Sequence, residues 1–236
     1  MAKITATHQQ LQETIAQPGC PICGLCQMAV HDYLDTLLWE SSTDLNLQTI
    51  LEASLGFCGR HSRQLLSFGG QRLGAAVIER TTLLAAIRRL PELAGTVTPT
   101  PTRFRLGQRQ VRVKEEAARP GLPDSIQPCP ACLREEAEAA RGVVELLIHL
   151  DKFSGPLLAA GGLCLPHFVQ SLRAADTAQR DTLLAIQQQA WTELSQLLDR
   201  FIRQHMQHHH SDPISDQARL SLERTIAALT GEYPVR

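Results

Sequence analysis

The 236-residue sequence is poor in aromatic side chains and has almost no excess of charge of either sign. Phe, Trp and Tyr make up 4% of the residues, and 23 basic residues against 24 acidic ones leave a formal net charge of -1. A protein with so small a net charge has no overall field that attracts nucleic acid or an anionic membrane. Neither class of partner is therefore expected, while a 43% hydrophobic content is enough for a packed core.

The sequence also has no long hydrophobic run. The N-terminus, MAKITATHQQ, has no apolar segment of signal-peptide length. No stretch approaches the ~18 apolar residues that a membrane-spanning helix needs. These absences favour a cytoplasmic protein, in which thiols stay reduced and clustered cysteines serve metal or redox chemistry more often than disulfides. The odd count of seven cysteines agrees with that interpretation.

The cysteines lie in two motifs that occur twice in the same order. CPIC at residues 20–23 recurs as CPAC at residues 129–132, and GFCGRH at residues 56–61 recurs as GLCLPH at residues 162–167. Between the second cysteine of the first motif and the cysteine of the second motif lie 34 residues in the first half (Cys23 to Cys58) and 31 residues in the second (Cys132 to Cys164). We interpret this pattern as an internal duplication.

Apolar residues between the motifs follow helical spacing and predict an all-α fold of two similar helical halves. Asp44 is expected to cap a helix that reaches Leu55, and a helix over Gln71–Leu90 is expected to stop at Pro91. A long helix is predicted from Asp176 or Thr177 to about Gln207, and a last one over Asp216–Leu229.

The predicted organisation has four parts. Residues 1–91 form the first metal-binding repeat, residues 92–127 a linker rich in Pro and Gly, residues 128–211 the second repeat, and residues 212–236 a C-terminal helix. Within the linker, the basic segment Arg103–Lys114 alternates like a strand and could be a hairpin or an arm that touches an anionic partner. A solvated linker is the favoured interpretation.

The repeated motifs predict two zinc ions per chain. Zinc takes four tetrahedral ligands, commonly Cys and His. CPxC supplies two sulfurs from a tight turn, and CxxH supplies a sulfur and an imidazole from one face of a helix start. Pairing the segments that are nearest in sequence gives one Cys3His site per half, namely Cys20, Cys23, Cys58 and His61 in the first and Cys129, Cys132, Cys164 and His167 in the second. A crossed arrangement, in which Cys20 and Cys23 meet Cys164 and His167, stays open.

Other chemistries are compatible with parts of the pattern. Cys20, Cys23 and Cys26 overlap an iron–sulfur spacing, but no cysteine corresponds to Cys26 in the second half. A free CxxC redox pair, or a nucleophilic Cys–His dyad within either CxxH motif, is a weaker alternative. A separate histidine group could bind a further metal, although a solvated helix end is favoured; it comprises His205, His208, His209 and His210.

The ordered set PGCPIC, GFCGRH, CPAC, GLCLPH and HHHSDPISDQARLSLERTIAALTGE resembles an uncharacterised bacterial family, a domain of unknown function with duplicated CPxC and GxCxxH motifs. The resemblance covers residues 17–231. Such proteins carry aromatic and acidic residues before the last helix, where this chain has His208 to Pro213. The resemblance implies a bacterial, helical, metal-binding protein and adds no catalytic residue.

Four protein ligands leave a zinc ion no position for a catalytic water. We therefore expect a non-enzymatic interaction or regulatory module with structural zinc and an unidentified protein partner. A thiol-based redox or metal sensor that uses Cys26 is the alternative, and an iron–sulfur protein or other metalloenzyme is a third hypothesis. Zinc release by peroxide would favour the sensor, and visible absorption would favour iron.

Overall fold

The computed structural model describes residues 6–41, 44–96, 122–206 and 215–231. Helices account for 83% of these residues and none of them lies in a strand, so the all-α prediction is confirmed there. The helices are α1 (Ala6–Ile15), α2 (Pro21–Thr36), which runs into a π-helical turn (Leu37–Ser41), α3 (Leu45–Ser54), α4 (Gly59–Ser67), α5 (Arg72–Thr96), α6 (Pro130–Ile148), α7 (Leu150–Ala160), α8 (Leu165–Ala174), α9 (Thr177–Met206), α10 (Asp216–Arg219) and α11 (Ser221–Thr230).

Several helix ends follow from local chemistry that the sequence shows. The Asp44 carboxylate accepts a hydrogen bond from the Asn46 backbone N–H and begins α3, as predicted. The predicted long helix is α9, which spans Thr177–Met206, the last residue described in this part of the chain. Its last described turn carries Arg203, whose positive charge suits a helix C-terminus.

Two helices continue through prolines. The prediction that Pro91 ends its helix is wrong, because α5 continues through Pro91 to Thr96. Pro91 is exposed, so water can satisfy the carbonyl that loses its N–H partner. Pro156 lies within α7, which buries Leu150, Phe153 and Leu157 on one face. That apolar face outweighs the unfavourable proline.

The chain forms two compact units. Unit 1 contains residues 1–29 and 136–236, and unit 2 contains residues 30–135. The boundaries lie within α2 and α6 rather than in the predicted linker, and each unit takes residues from both predicted halves. The cause is that α2 and α6 are continuous helices, and the first turns of each belong to one unit while its last turns belong to the other. The internal duplication itself stays a sequence prediction.

Each unit has its own apolar core, and cysteines lie within both cores. The unit 1 core includes Leu11, Ile22, Leu25, Leu146, Leu157, Leu163 and Leu183, together with Cys20, Cys23, Cys26 and Cys164. The unit 2 core includes Leu34, Leu51, Leu65 and Ile78, together with Cys129. Among the described helices, none combines the length and apolar character that crossing a bilayer requires.

Gly56 offers a test of how unit 2 is built around the loop before Cys58. Its φ is +77°, and a Cβ there would lie 2.5 Å from Cγ2 of Thr82, whose hydroxyl donates to the Ile78 carbonyl. Replacing Gly56 with Ala should lower the free energy of unfolding by about 1–3 kcal/mol, because it adds backbone strain and a clash with a stiff β-branched side chain. Urea denaturation measures the change.

Gly69→Ala is the matched control. Gly69 has no positive φ, and a Cβ added to it would have no other atom within 4 Å, so its substitution should leave the midpoint unchanged. Equal midpoints for Gly56→Ala and the wild type would contradict the packing described here.

Candidate metal centres

Four residues of unit 1 bring their ligand atoms together at two helix starts. Cys20 immediately precedes α2 and Cys23 is its third residue, while Cys164 immediately precedes α8 and His167 is its third residue. We call this group site 1. Its sulfur and nitrogen atoms all lie within 4.8 Å of one another.

Unit 2 repeats this arrangement with its own four residues, which we call site 2. Cys129 immediately precedes α6 and Cys132 is its third residue, while Cys58 and His61 hold the same positions in α4. The ligand atoms again lie within 4.8 Å of one another. The CPxC segments thus lie on helix starts rather than in isolated tight turns, and the Pro at the first helical position favours this conformation.

The distances within both sites match the edges of a tetrahedral zinc site. Zn–S bonds of ~2.3 Å and Zn–N bonds of ~2.0 Å place two sulfurs ~3.8 Å apart and a sulfur and nitrogen ~3.5 Å apart. In site 1 the Cys23 and Cys164 sulfurs are 3.6 Å apart, and His167 Nδ1 lies 3.1 to 3.6 Å from the three sulfurs. In site 2 the Cys58 and Cys132 sulfurs are 3.7 Å apart, and His61 Nδ1 lies 3.4 to 3.5 Å from the three sulfurs.

The structure brings together the eight residues predicted from the sequence, but in different groups of four. The pairing within each half is wrong, and the crossed arrangement is the one observed. The reason is that α2 leaves unit 1 at Ala29, before the chain reaches Cys58, and α6 enters unit 1 at Glu136, before it reaches Cys164. Nearness in sequence therefore does not decide which motifs meet.

Within each site, one cysteine thiol has a lowered pKa and a neighbouring thiol has a raised pKa. In site 2, a hydrogen bond from Cys132 and a further one from His61 outweigh the effect of burial and lower the pKa of Cys129 to about 3. The pKa of Cys132 is raised, chiefly because it donates to Cys129 and is buried beside other thiols.

Site 1 shows the same division. Burial would raise the pKa of Cys20, but its hydrogen bonds with Cys164, Cys23 and His167 hold that pKa well below the usual value. The pKa of Cys23 is raised, because it is hydrogen-bonded to Cys164 and Cys20 and would add charge next to them. Burial would lower the pKa of His167, but its hydrogen bonds with Cys164, Cys20 and Cys26 raise it to about 12. A divalent cation is the group that would stabilise three thiolates in so small a space.

The far side of the His61 ring meets a charged pair. His61 Nε2 lies 3.7 Å from a Glu135 carboxylate oxygen and 3.2 Å from the Arg60 guanidinium, and Arg60 forms an ion pair with Glu135. A carboxylate behind a metal-binding histidine orients the ring and increases its basicity. Glu135 was not predicted from the sequence.

Cys26 holds the corresponding position in the sequence of the site 1 motif. It lies three residues after Cys23, as Glu135 lies three residues after Cys132, and it forms a hydrogen bond with His167. Cys26 is 2% exposed and belongs to neither group of four ligands. The seventh cysteine, Cys26, is therefore a neighbour of the candidate ligand His167. An alignment of CPIC with CPAC that continues three residues past the second cysteine places Glu135 opposite Cys26. This alignment is the sequence signal that points to Glu135.

The C-terminal end of α11 closes one side of site 1. The Gly231 carbonyl accepts a hydrogen bond from the Cys23 thiol at 3.1 Å.

The remaining predicted features bear less on the sites. His205 is exposed and its ring packs on Phe201, whereas His208, His209, His210 and the segment Arg103–Lys114 lie outside the described residues.

A family described as "Family of unknown function (DUF6062)" matches residues 10–236, which shows that the chain belongs to this family. No match was found among curated proteins or among solved structures.

Paired cysteine variants test which motifs share a metal. Cys23→Ser with Cys164→Ser removes two ligands of one site, so about half of the metal bound by the wild type should remain. Cys23→Ser with Cys58→Ser removes one ligand from each site, so little metal should remain. The metal is counted by elemental analysis after passage over a chelating resin.

Pairing within each half would exchange these two results, because Cys23 and Cys58 would then share a site. Cys58→Ser with Cys132→Ser serves as the matching variant in unit 2 and should also retain about half of the metal.

The charged pair behind His61 gives a second test. Glu135→Gln should weaken metal binding at site 2 by about 10- to 100-fold, because it removes the negative charge behind the candidate ligand His61. Competition with a chromogenic chelator measures the affinity. Glu136→Gln changes the same charge at a neighbouring position outside both groups of ligands and should have no effect; equal affinities for the two variants would contradict the role of Glu135.

Proposed function

We propose that this member of the DUF6062 family is a zinc protein in which two Cys3His sites hold helices together, and that it acts by binding another protein rather than by catalysis. The observation that carries the proposal is the pair of clusters, each with three sulfurs and one nitrogen at the spacing of a tetrahedral site. In unit 1 the zinc ion would join the starts of α2 and α8, and in unit 2 it would join the starts of α4 and α6.

The donor set supports zinc over iron. Structural zinc sites include the Cys3His combination, whereas [2Fe–2S] and [4Fe–4S] clusters take four cysteines, or two cysteines and two histidines in Rieske centres. Each group here has three cysteines and one histidine, and Cys26 lies outside the ligand set of site 1. The helix starts add favourable backbone dipoles next to each thiolate.

The closure of both sites supports a structural role. A catalytic zinc keeps one position for water or substrate, but each group here offers four ligands. The ligands are also largely buried, since His61, Cys129 and Cys164 are each no more than 1% exposed. Structural zinc contributes about 10–16 kcal/mol of apparent binding free energy, which is comparable to the whole stability of a typical domain.

An apolar stripe on α5 supports a protein as the partner. Leu83, Ile87 and Leu90 lie on one helical face and are 61%, 52% and 58% exposed. Exposed apolar side chains grouped in this way suit a protein surface, and the net charge of -1 offers little attraction to nucleic acid. Zinc bound through thiolates also requires reduced cysteines, which favours the cytoplasm.

The sensor alternative has one observation in its favour and one against it. Cys26 is hydrogen-bonded to the ligand His167, so oxidation of its thiol would disturb site 1. Sensor cysteines are solvent-accessible, however, and Cys26 is 2% exposed. Its burial therefore favours the structural role.

The zinc content and its link to folding test the proposal. Protein purified without oxygen and passed over a chelating resin should retain two zinc ions per chain. A stronger chelator at neutral pH, with reductant present, should then remove the zinc together with much of the helical circular dichroism and the cooperative melting transition. Adding zinc back should restore both.

An unchanged helical signal and melting curve after zinc removal would contradict the structural role. Iron in place of zinc, recognised by elemental analysis and visible absorption, would contradict the choice of metal.

A further inference from the structure

Unit 1 contains a third group of side chains that could hold a metal ion, and none of them belongs to a cysteine motif. His8 of α1, Glu145 of α6 and His149, which immediately precedes α7, bring one ligand atom each to within 4.8 Å of the others. His8 Nδ1 lies 2.8 Å and His149 Nε2 lies 3.2 Å from the same carboxylate oxygen of Glu145.

The three side chains are mostly shielded from solvent, and His149 is the most exposed of them. The side chains of His8 and Glu145 are 11% and 12% exposed, and that of His149 is 25% exposed. The two imidazole rings meet edge to face at 4.6 Å, and Phe153 packs against His8 at 5.4 Å. Three neighbouring helices therefore fix the orientation of both rings before any ion binds.

The separations suit a metal ion bound at one face of a coordination polyhedron. Ligand bonds of ~2.1 Å place neighbouring donors ~3.0 Å apart in an octahedron and ~3.4 Å apart in a tetrahedron. The two nitrogen–oxygen distances of 2.8 and 3.2 Å lie close to that range.

We propose that His8, Glu145 and His149 bind a third metal ion, a divalent first-row transition metal, with at least one coordination position left for water or a small anionic ligand. Two imidazoles and one carboxylate form the donor set of open zinc sites and of non-haem iron(II) sites. The site therefore differs in kind from the two closed, sulfur-rich sites. It also includes a residue outside the family match, since the match begins at residue 10.

Cobalt(II) is a suitable probe, because thiolate–cobalt charge-transfer bands would reveal any exchange into the cysteine sites. Resin-treated protein that retains its two zinc ions is dialysed against cobalt(II) under reducing conditions, and bound cobalt and zinc are counted together. We expect one cobalt per chain, two retained zinc ions and no thiolate bands. His8→Ala, His149→Ala and Glu145→Gln should each weaken cobalt binding by about tenfold or more.

His31→Ala is the matched control, because the His31 side chain is 62% exposed and lies outside the group. It should bind cobalt like the wild type. Glu145→Gln keeps one side-chain oxygen that can accept a hydrogen bond. The zinc content and the melting curve of this variant show whether unit 1 remains folded.

Absence of cobalt binding to the wild type at millimolar concentration, or binding that all three variants leave unchanged, would overturn the proposal. The first result would indicate a metal-free cluster in which both rings donate to the carboxylate. Because zinc retention is counted in the same sample, failure of the third site is distinguishable from failure of the two cysteine sites.

Discussion

Each unit depends on bringing two helix starts to one point. The residue immediately before a helix and the third residue of that helix form one pair of ligands, and a second helix supplies the other pair. Each ligand therefore lies next to backbone N–H groups that lack helical partners, where negative charge is favourable. A metal ion at this point would neutralise the thiolates and fix the two helices against each other. Four of the eight candidate ligands, Cys20, Cys23, Cys129 and Cys164, lie within the apolar cores.

The loops that lead into these helix starts also contact a long helix of their own unit. Gly162, two residues before Cys164, has a φ of +80°, and Gln187 of α9 bonds to both the N–H and the carbonyl of Leu163 at 2.9 and 3.0 Å. Gly56 has the same backbone conformation two residues before Cys58 and packs against Thr82 of α5. The long helices α9 and α5 thus position the CxxH motifs of their own units through different side chains.

The sequence was sufficient to predict the class of fold and the identity of the eight ligand candidates, because both depend on local patterns. Helical periodicity and the fixed three-residue spacing of CPxC and CxxH are the same in any tertiary arrangement. The pairing of the motifs was not predictable in this way, since it depends on where α2 and α6 carry the chain. The continuation of α5 through Pro91 and the meeting of His8 with Glu145 likewise depend on exposure and packing between distant segments.

The chemistry of the two cysteine sites is open to one direct measurement. X-ray absorption at the zinc edge of the resin-treated protein counts the sulfur and nitrogen neighbours of the bound metal. Three sulfurs at ~2.3 Å and one nitrogen at ~2.0 Å per zinc are expected, because both sites have the same Cys3His composition. Four sulfurs, or a shell dominated by oxygen and nitrogen, would contradict the two-site arrangement on which the proposed function rests.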